Sequence, residues 1–200
     1  FGGLRIAGLS GIYKHHDYTR GHHESLPYNE STIRSLYHIR DFEVYRLLQL
    51  QQPVDIFLSH DWPTNIARYG NTAQLLARKA FLRAEVESGT LGSPPGAQLL
   101  AELRPAYWFA AHLHTNSSSS TRGGSGFPTT RFLALDKCLP GRDFLQVIEV
   151  DAPGPPELHY DEEWLAVLRT THHHTNLAFK HAPLPGRTGR GLGGKVRGGR

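Results

Sequence analysis

Three histidines follow apolar runs in this chain, and imidazole is a common ligand of transition-metal ions. His60 ends the run DIFLSH, and His112 and His114 follow the run YWFAA. Apolar runs of this length predict buried strands, and polar residues just past such strands meet at one edge of an α/β sheet. Side chains at i and i+2 of an extended segment lie about 7 Å apart on one face, so they could serve two ions about 4 Å apart. The three histidines predict part of a two-metal site.

The two residues after His60, Asp61 and Trp62, admit two interpretations. A carboxylate beside a ligating imidazole can orient the ring or contact a substrate. A His-Asp pair can equally cap a strand and hydrogen-bond the next loop. The second histidine cluster, 52 positions after His60, favours the metal-site hypothesis.

A polar connection at residues 10–36 contains four histidines among basic and aromatic side chains. Such interleaving suits phosphate contact and base stacking better than metal capture. A solvated loop is the alternative interpretation. The histidines are His15, His16, His22 and His23, with Tyr13, Lys14, Tyr18, Arg20 and Tyr28 around them.

Apolar periodicity and turn residues give the elements that must position these groups. We predict strands at 4–9, 54–58, 107–111, 131–135 and 143–150, the last two as a hairpin-like pair. We predict helices at 31–50, 72–87, 96–103 and 161–169. The Ser/Gly-rich stretch 115–130 is expected to be mobile, and residues 172–200 are expected to form a basic, Gly-rich disordered tail.

Charge is distributed unevenly along the 200 residues. Seven of the 22 basic residues and none of the 18 acidic ones lie from Trp164 onward, so the preceding part has a net charge of −3. A nucleic-acid argument from global charge would therefore rest on the tail alone. A single cysteine excludes an internal disulfide framework, and no apolar run is long enough to span a membrane. The chain starts at Phe1 and has no Met, so we expect a fragment, a processed piece or the product of an incomplete gene model.

Eight segments, in order, resemble the RNA lariat debranching enzyme family, a branch of the dinuclear metallophosphoesterases. The resemblance covers about residues 4–169. Its most specific block, 10–40, resembles the family's lariat recognition loop. The segments are SGIYK (10–14), HDYTRGH (16–22), PYNESTIRSLYHIR (27–40), DIFLSHDWP (55–63), YGN (69–71), LGSP (91–94), YWFAAHLH (107–114) and FLALDKCLPGRDFLQ (132–146).

The resemblance implies a nuclear, metal-dependent phosphodiesterase that hydrolyses the 2′-5′ bond of excised intron lariat RNA. His60 and His112 would ligate one divalent ion and His114 the other, with Fe²⁺, Zn²⁺ or Mn²⁺ as the ions. An activated water would attack phosphorus while the ions clamp phosphate oxygens. The expected substrate-binding residues are Ser10, Lys14, His16, Asp17, Tyr18, His22, Arg40, Asp61 and Trp62.

The sequence departs from the family pattern in ways that shape the expected fold. The family's Cys-x-His, GD and GNHE motifs are missing, and with them the bridging carboxylate and general acid, so no catalytic residue is assigned. We expect an α/β chain: a partial metallophosphoesterase β-sandwich flanked by helices, with its N-terminal half missing. Residues 1–150 would be the C-terminal half of that domain and 151–171 the start of the next, with the family pattern ending near 171. Three imidazoles without an anionic bridge hold two cations poorly, so these residues alone should be inactive.

Two other functions are consistent with the residues. One is a different dinuclear metallophosphoesterase, such as a phosphatase or nuclease, for which the block 10–40 would have no role. The other is a non-catalytic RNA-binding module that uses the basic loop and tail, whose binding would depend on salt but not on metal. The oligomeric state is left open.

Overall fold

The computed structural model of the chain describes residues 1–113, 117–121 and 129–186. Within them, four strands run parallel in one sheet and a fifth runs antiparallel at its edge, so the predicted α/β class is confirmed. The strands are β1 (Ile6–Leu9), β2 (Ile56–Ser59), β3 (Tyr107–Ala110), β4 (Ser117–Thr121) and β5 (Thr130–Ala134), in the spatial order β1-β2-β3-β5-β4.

The register of the parallel strands brings their carboxyl ends to one edge. Leu9 pairs with Ser59, Leu58 pairs with Phe109, and Ala110 pairs with Ala134. Residues that follow β1, β2 and β3 therefore share this edge, as expected for ligand sites in open α/β sheets.

Seven α-helices and three 3₁₀ helices lie within the described residues. Helix α3 illustrates their sequence logic: Glu43 in its first turn accepts from the Arg40 backbone N–H at 2.6 Å, and Val44, Leu47 and Leu48 face the core. The α-helices are α1 (His15–Tyr18), α2 (Glu30–Ser35), α3 (Asp41–Leu48), α4 (Thr72–Arg78), α5 (Arg83–Ser88), α6 (Pro94–Leu103) and α7 (Glu162–Thr171). The 3₁₀ helices are Ile66–Tyr69, Ala80–Leu82 and His172–His174. No helix in the described part of the chain is long and apolar enough to cross a membrane.

The core lies between the sheet and the helices. Phe57 and Trp108, on neighbouring strands, are fully buried and stack with ring centroids 4.2 Å apart. Leu99 of α6 and Val44 of α3 belong to the same buried cluster. The described strands form one sheet, in which Ile6 and Leu58 are each 47% exposed. The partial β-sandwich expected from the sequence is therefore represented in the described residues by a single sheet with helices.

The helix predicted at 31–50 is wrong in its middle, because the chain forms α2 and α3 with a break at 36–40. Asn29, not Ser31, caps α2. At the break the backbone pairs with another segment: Ile12 N–H donates to Tyr37 O at 2.9 Å, and Ile39 N–H donates to Ile12 O at 3.0 Å. These tertiary hydrogen bonds outweigh local helix propensity, which a periodicity count cannot detect.

The helix predicted at 72–87 is likewise divided, into α4, the 3₁₀ turn Ala80–Leu82 and α5. The break falls at Lys79, whose backbone lies outside the helical region at φ −136° and ψ 62°. Leu75, Leu82 and Val86 still reach the core, while Phe81 at the break is turned outward. The apolar stripe is therefore kept, but it is carried by two short helices.

The strand predicted at 143–150 is not formed, because its apolar residues find no surface to cover. Leu145 and Val147 are exposed, and β5 pairs instead with β3 and β4. Part of the stretch expected to be mobile, Ser117–Thr121, forms β4. The remainder of that stretch up to residue 128 lies outside the described residues.

Helix α7 is tied to the amino-terminal strand and not to a separate core. Arg5 bonds to Asp161, the cap of α7, and its Nη2 lies 2.7 Å from Glu163 Oε2. Val167 joins the buried cluster that contains Leu47. In this structure the helix packs within the same body as the sheet.

Candidate metal and RNA site

The structure brings His60 and His112 together at the carboxyl edge of the sheet. His60 directly follows β2, and His112 lies two residues after β3. The Nε2 of His60 is 3.1 Å from the Nδ1 of His112, with the two rings 5.0 Å apart at 61°. His114, the third predicted ligand, lies outside the described residues.

Backbone hydrogen bonds between strand ends hold the two imidazoles in place. His60 N–H donates to Leu9 O at 3.4 Å, and Ala111 N–H donates to His60 O at 3.1 Å. His112 adopts φ +55°, a left-handed conformation that costs a non-glycine residue about 1–3 kcal/mol. Such strain concentrates at functional sites, and the ring of His112 lies against that of His60 in this conformation.

Trp62 packs beneath the sheet edge, and its side chain is not accessible to a substrate. Its indole Nε1 donates to Ala111 O at 2.8 Å, and its ring packs edge-on against Phe132 at 5.2 Å. The side chain is fully buried. This burial disagrees with the predicted direct contact with substrate, because the ring presents no surface to an RNA.

Asp61 links the sheet edge to the segment that resembles a recognition loop. Its Oδ2 accepts from Tyr13 N–H at 3.1 Å, and its Oδ1 accepts from Trp62 N–H at 3.0 Å. Both oxygens thus hold backbone, and the carboxylate is buried. The strand-cap interpretation accounts for these bonds, and they also fix residue 13 beside His112.

The electrostatics at His112 favour neutral imidazole, the form that binds metal. Burial lowers the pKa of His112, and the neighbouring His60 and Lys14 lower it further. The charge of Asp61 opposes them without reversing the direction.

The nitrogen separation fits two ligands of one ion. Two nitrogens each about 2.0–2.1 Å from a tetrahedral ion lie ~3.4 Å apart, close to the observed 3.1 Å. Imidazole suits zinc, iron and related transition ions. The residues present therefore fit part of a metal site, and the remaining donors have to come from elsewhere.

A buried charge network holds residues 10–40, which we call the recognition segment. Arg40 is 1% exposed; its Nη1 donates to Asp17 O at 2.7 Å, and its Nη2 donates to Glu24 Oε1 at 2.6 Å and to Ser35 O at 3.0 Å. His38 Nδ1 lies 2.6 Å from Asp17 Oδ2. The Glu24 side chain is fully enclosed, and its Oε2 has no hydrogen-bond partner within the described residues.

Both acids of this network keep their charge. Burial by itself would raise the pKa of Asp17, but hydrogen bonds from His38 and Arg20 and the charges of His16 and Arg40 outweigh it and lower the pKa. The pKa of Glu24 is lowered in the same way, with burial opposed chiefly by the hydrogen bond from Ser35. Buried ions therefore hold the segment together, in addition to the contact of Ile39 with the apolar core.

A second group of metal-ligand type lies inside this network. Donor atoms of His16, Asp17 and His38 come within 4.8 Å of one another. Arg20 Nη1, however, lies 2.6 Å from Asp17 Oδ1, and Arg40 Nη1 lies 3.9 Å from it. A dication would have to approach two guanidinium groups, so this group fits a metal less well than the His60–His112 pair does.

Residues 175–181, which we call the C-terminal segment, pack on the recognition segment. Gly21 N–H donates to Ala178 O and His22 N–H donates to Asn176 O, both at 3.0 Å. Arg20 covers the Phe179 ring, 4.0 Å from its centroid. The expectation of disorder from residue 172 is therefore wrong through this segment; residues 187–200 lie outside the described part of the chain.

Two clefts meet at the imidazole pair. One, of about 860 Å³, is lined by β1, α3, Trp164 and His60. The other, of about 720 Å³, runs from His112 and Asp61 between Lys14 and Phe81. The recognition segment separates them, and its Ile12 lines both.

The predicted substrate-binding residues divide by exposure. Ser10, Lys14 and His16 are exposed, Tyr18 and His22 are half-buried, and Asp17, Arg40, Asp61 and Trp62 are buried. Sequence reasoning missed Glu24, His38 and Phe81. No local sequence signal marks Glu24 or His38 as partners of Arg40. Phe81 could have been singled out as an apolar residue next to the break between two helices.

Comparison with known proteins finds the same family along most of the chain. Residues 127–193 match the family model "Lariat debranching enzyme, C-terminal domain". The chain is 56% identical over 170 residues to the "Lariat debranching enzyme" of Arabidopsis thaliana, covering 84% of this chain and 41% of the relative. It is 58% identical over 176 residues to that of Mus musculus, covering 84% and 32%. With that of Homo sapiens the identity is 53% over 194 residues, covering 94% and 36%.

These matches can be compared with what the sequence predicted about the length and boundaries of the family region. The chain spans between about a third and two fifths of the length of these relatives. We expected the family pattern to end near residue 171, but the match to the family model continues to residue 193. It also begins at 127, before the boundary predicted at 151.

Proposed function

The chain is a homologue of the lariat debranching enzymes, and from that premise we propose that it forms part of a metal-dependent phosphodiesterase for branched RNA. The bond cleaved would be the 2′-5′ phosphodiester of excised intron lariats, and the site of action the nucleus. The observation that carries the proposal is the His60–His112 pair, 3.1 Å apart at the sheet edge, with the recognition segment bound to its neighbour Asp61.

The chain's own residues have distinct roles in this proposal. His60 and His112 would hold one divalent ion and His114 a second, with Fe²⁺, Zn²⁺ and Mn²⁺ as the candidates. Such ions would activate water and stabilise charge on the phosphate. Lys14, exposed beside His112, would contact a phosphate of the RNA, and Ser10, His16, Tyr18 and His22 would form the rest of the substrate surface.

The buried members of the predicted set would act indirectly. Asp61 would fix the position of residue 13 and Trp62 would hold the strand end after β3. Asp17 and Arg40 would hold the recognition segment in shape. These four are positioning residues, since none presents its charged or ring atoms to solvent.

A chimera tests the proposal on a complete site. The aligned segment of the mouse relative, 58% identical, is replaced by the residues of this chain. We expect cleavage of branched RNA in Mn²⁺ and no cleavage of linear RNA. His60→Ala or His112→Ala in the chimera should lower the rate by about 100-fold or more, since each removes a ligand. His159→Ala, an exposed histidine elsewhere, is the matched control and should have no effect.

The outcomes separate the candidate functions. The 200 residues alone should release no product above background, because three imidazoles lack a bridging carboxylate. Robust turnover by the chain alone would contradict that account of the site. A chimera that cleaves linear and branched RNA equally would favour a different phosphoesterase.

A non-catalytic RNA-binding module is the second candidate, favoured by the basic and aromatic residues of the cleft between Lys14 and Phe81. It predicts RNA binding that depends on salt, and it predicts that His60→Ala and His112→Ala leave the chimera fully active. The proposed enzyme predicts loss of activity in both variants.

A further inference from the structure

The cleft beside His112 has an aromatic side chain on its wall that the proposed chemistry does not use. Phe81 is 76% exposed and lines the 720 Å³ cleft together with Lys14, Asp61 and His112. Ligand clefts are lined mainly by apolar and aromatic side chains, so the position of Phe81 in a cleft next to the candidate site makes its ring a candidate ligand contact.

The local backbone presents this ring to the cleft. The break at Lys79 ends α4, and the 3₁₀ turn Ala80–Leu82 places Leu82 in the core and Phe81 outside it. The ammonium group of Lys79 lies over the Phe81 ring, 5.7 Å from its centroid. Most of the ring's surface is free to stack on a planar group.

Charge selects the kind of ligand. Arg78, Lys79 and Arg83 surround Phe81 in sequence, and Lys14 stands on the wall formed by the recognition segment. Glu85 also lines the cleft, while Glu87 lies 3.8 Å from Arg83 in an exposed ion pair. Asp61 also lines the cleft, but both of its oxygens accept backbone N–H groups. Lys14 and the Lys79 ammonium beside the ring therefore favour a ligand that joins a flat aromatic face to a negative charge, as a nucleotide does.

We infer that this cleft binds one nucleotide of an RNA strand next to the bond to be cleaved, with its base stacked on Phe81 and its phosphate near Lys14. The inference rests on the proposed function, because the cleft reaches His112 of the candidate metal site. Phe81 reads no base edge, so the stack tolerates any base, and its contribution is to hold the strand along the cleft.

Binding of labelled branched RNA to the 200-residue chain, followed by fluorescence anisotropy in chelator, tests the inference. Phe81→Ala should weaken binding about tenfold, the scale of one lost base stack. Phe81→Trp should keep or improve affinity, and Phe81→Leu should behave like Phe81→Ala because it is apolar but not planar. Tyr160→Ala, an aromatic 88% exposed outside the cleft, is the matched control and should not change affinity.

A thermodynamic cycle separates stacking from a change in fold. Abasic nucleotides are placed one at a time beside the branch. At one position the wild-type chain should lose about tenfold in affinity and Phe81→Ala should lose nothing further. Equal losses in both proteins at every position would overturn the inference, as would unchanged binding by Phe81→Ala.

Failure of the stacking inference can be distinguished from failure of the proposed function. If the chimera cleaves branched RNA while Phe81→Ala binds normally, only the stacking inference fails. If the wild-type chain does not bind branched RNA at all, the stacking inference is also overturned. If Phe81 matters for binding but His60→Ala does not affect cleavage by the chimera, the cleft binds RNA and the metal assignment is wrong.

Discussion

The sheet edge and the recognition segment lie side by side but are held by different forces. At the edge, parallel strands and a buried aromatic stack fix His60 and His112 through backbone hydrogen bonds. In the recognition segment, short helices are joined by a network of buried ions around Arg40. Apolar packing tolerates small changes, whereas a buried charge that loses its partner is costly. The two regions should therefore respond differently to substitution.

The largest effect is expected at the centre of the ion network. Arg40→Met removes the partner of Glu24 and a hydrogen-bond donor to Asp17 O, leaving buried charge uncompensated. We expect the free energy of unfolding to fall by about 3–5 kcal/mol in urea titrations. Arg83→Met breaks an exposed pair and should change it by less than about 1 kcal/mol.

A double variant sharpens this prediction. Arg40→Met combined with Glu24→Leu removes both charges, so the double variant should be more stable than Arg40→Met alone. A double variant that is less stable would mean that the segment is held by something other than charge pairing.

A smaller effect is expected where the C-terminal segment meets the recognition segment. A Cβ at Gly21 would lie 2.5 Å from Asn176 O and 2.6 Å from Ala178 O. Gly21→Ala should therefore release residues 175–181 and raise the rate of tryptic cleavage after Lys180 by about tenfold, which corresponds to ~1.4 kcal/mol of local opening. Gly186→Ala, whose Cβ would meet nothing within 4 Å, is the control. Equal cleavage rates in the two variants would show that this contact does not hold the segment.

The smallest effect concerns one imidazole of the recognition segment. His22 Nε2 lies 2.5 Å from Glu43 Oε1, and this hydrogen bond raises the pKa of His22. Burial and Arg40 oppose the shift, and Glu24 supports it. Because the pKa in the folded state exceeds its ordinary value of about 6.5, the stabilisation is complete below that pH and is lost as pH rises through the raised pKa. An NMR titration of the His22 ring should show the raised pKa, and Glu43→Gln should lower it. An unchanged titration in Glu43→Gln would contradict the assigned cause.

The contrast also explains how much the sequence revealed. Apolar runs before His60 and His112 located β2 and β3, and parallel pairing then brought the two rings to one edge. The continuous helix predicted across residues 36–40 and the strand predicted at 143–150 were wrong, since each outcome depends on tertiary partners. Glu24 lies 16 residues from Arg40, and nothing in local composition pairs them.

The central claim is that His60 and His112 together bind a metal ion, and paramagnetic NMR with Mn²⁺ tests it most directly. At substoichiometric Mn²⁺, the resonances of His60, Ala111 and His112 should broaden before those of the histidine run 172–174. His60→Ala should abolish the early broadening at residues 111 and 112. Early broadening confined to 172–174, or unchanged broadening at 111 and 112 in His60→Ala, would contradict the claim.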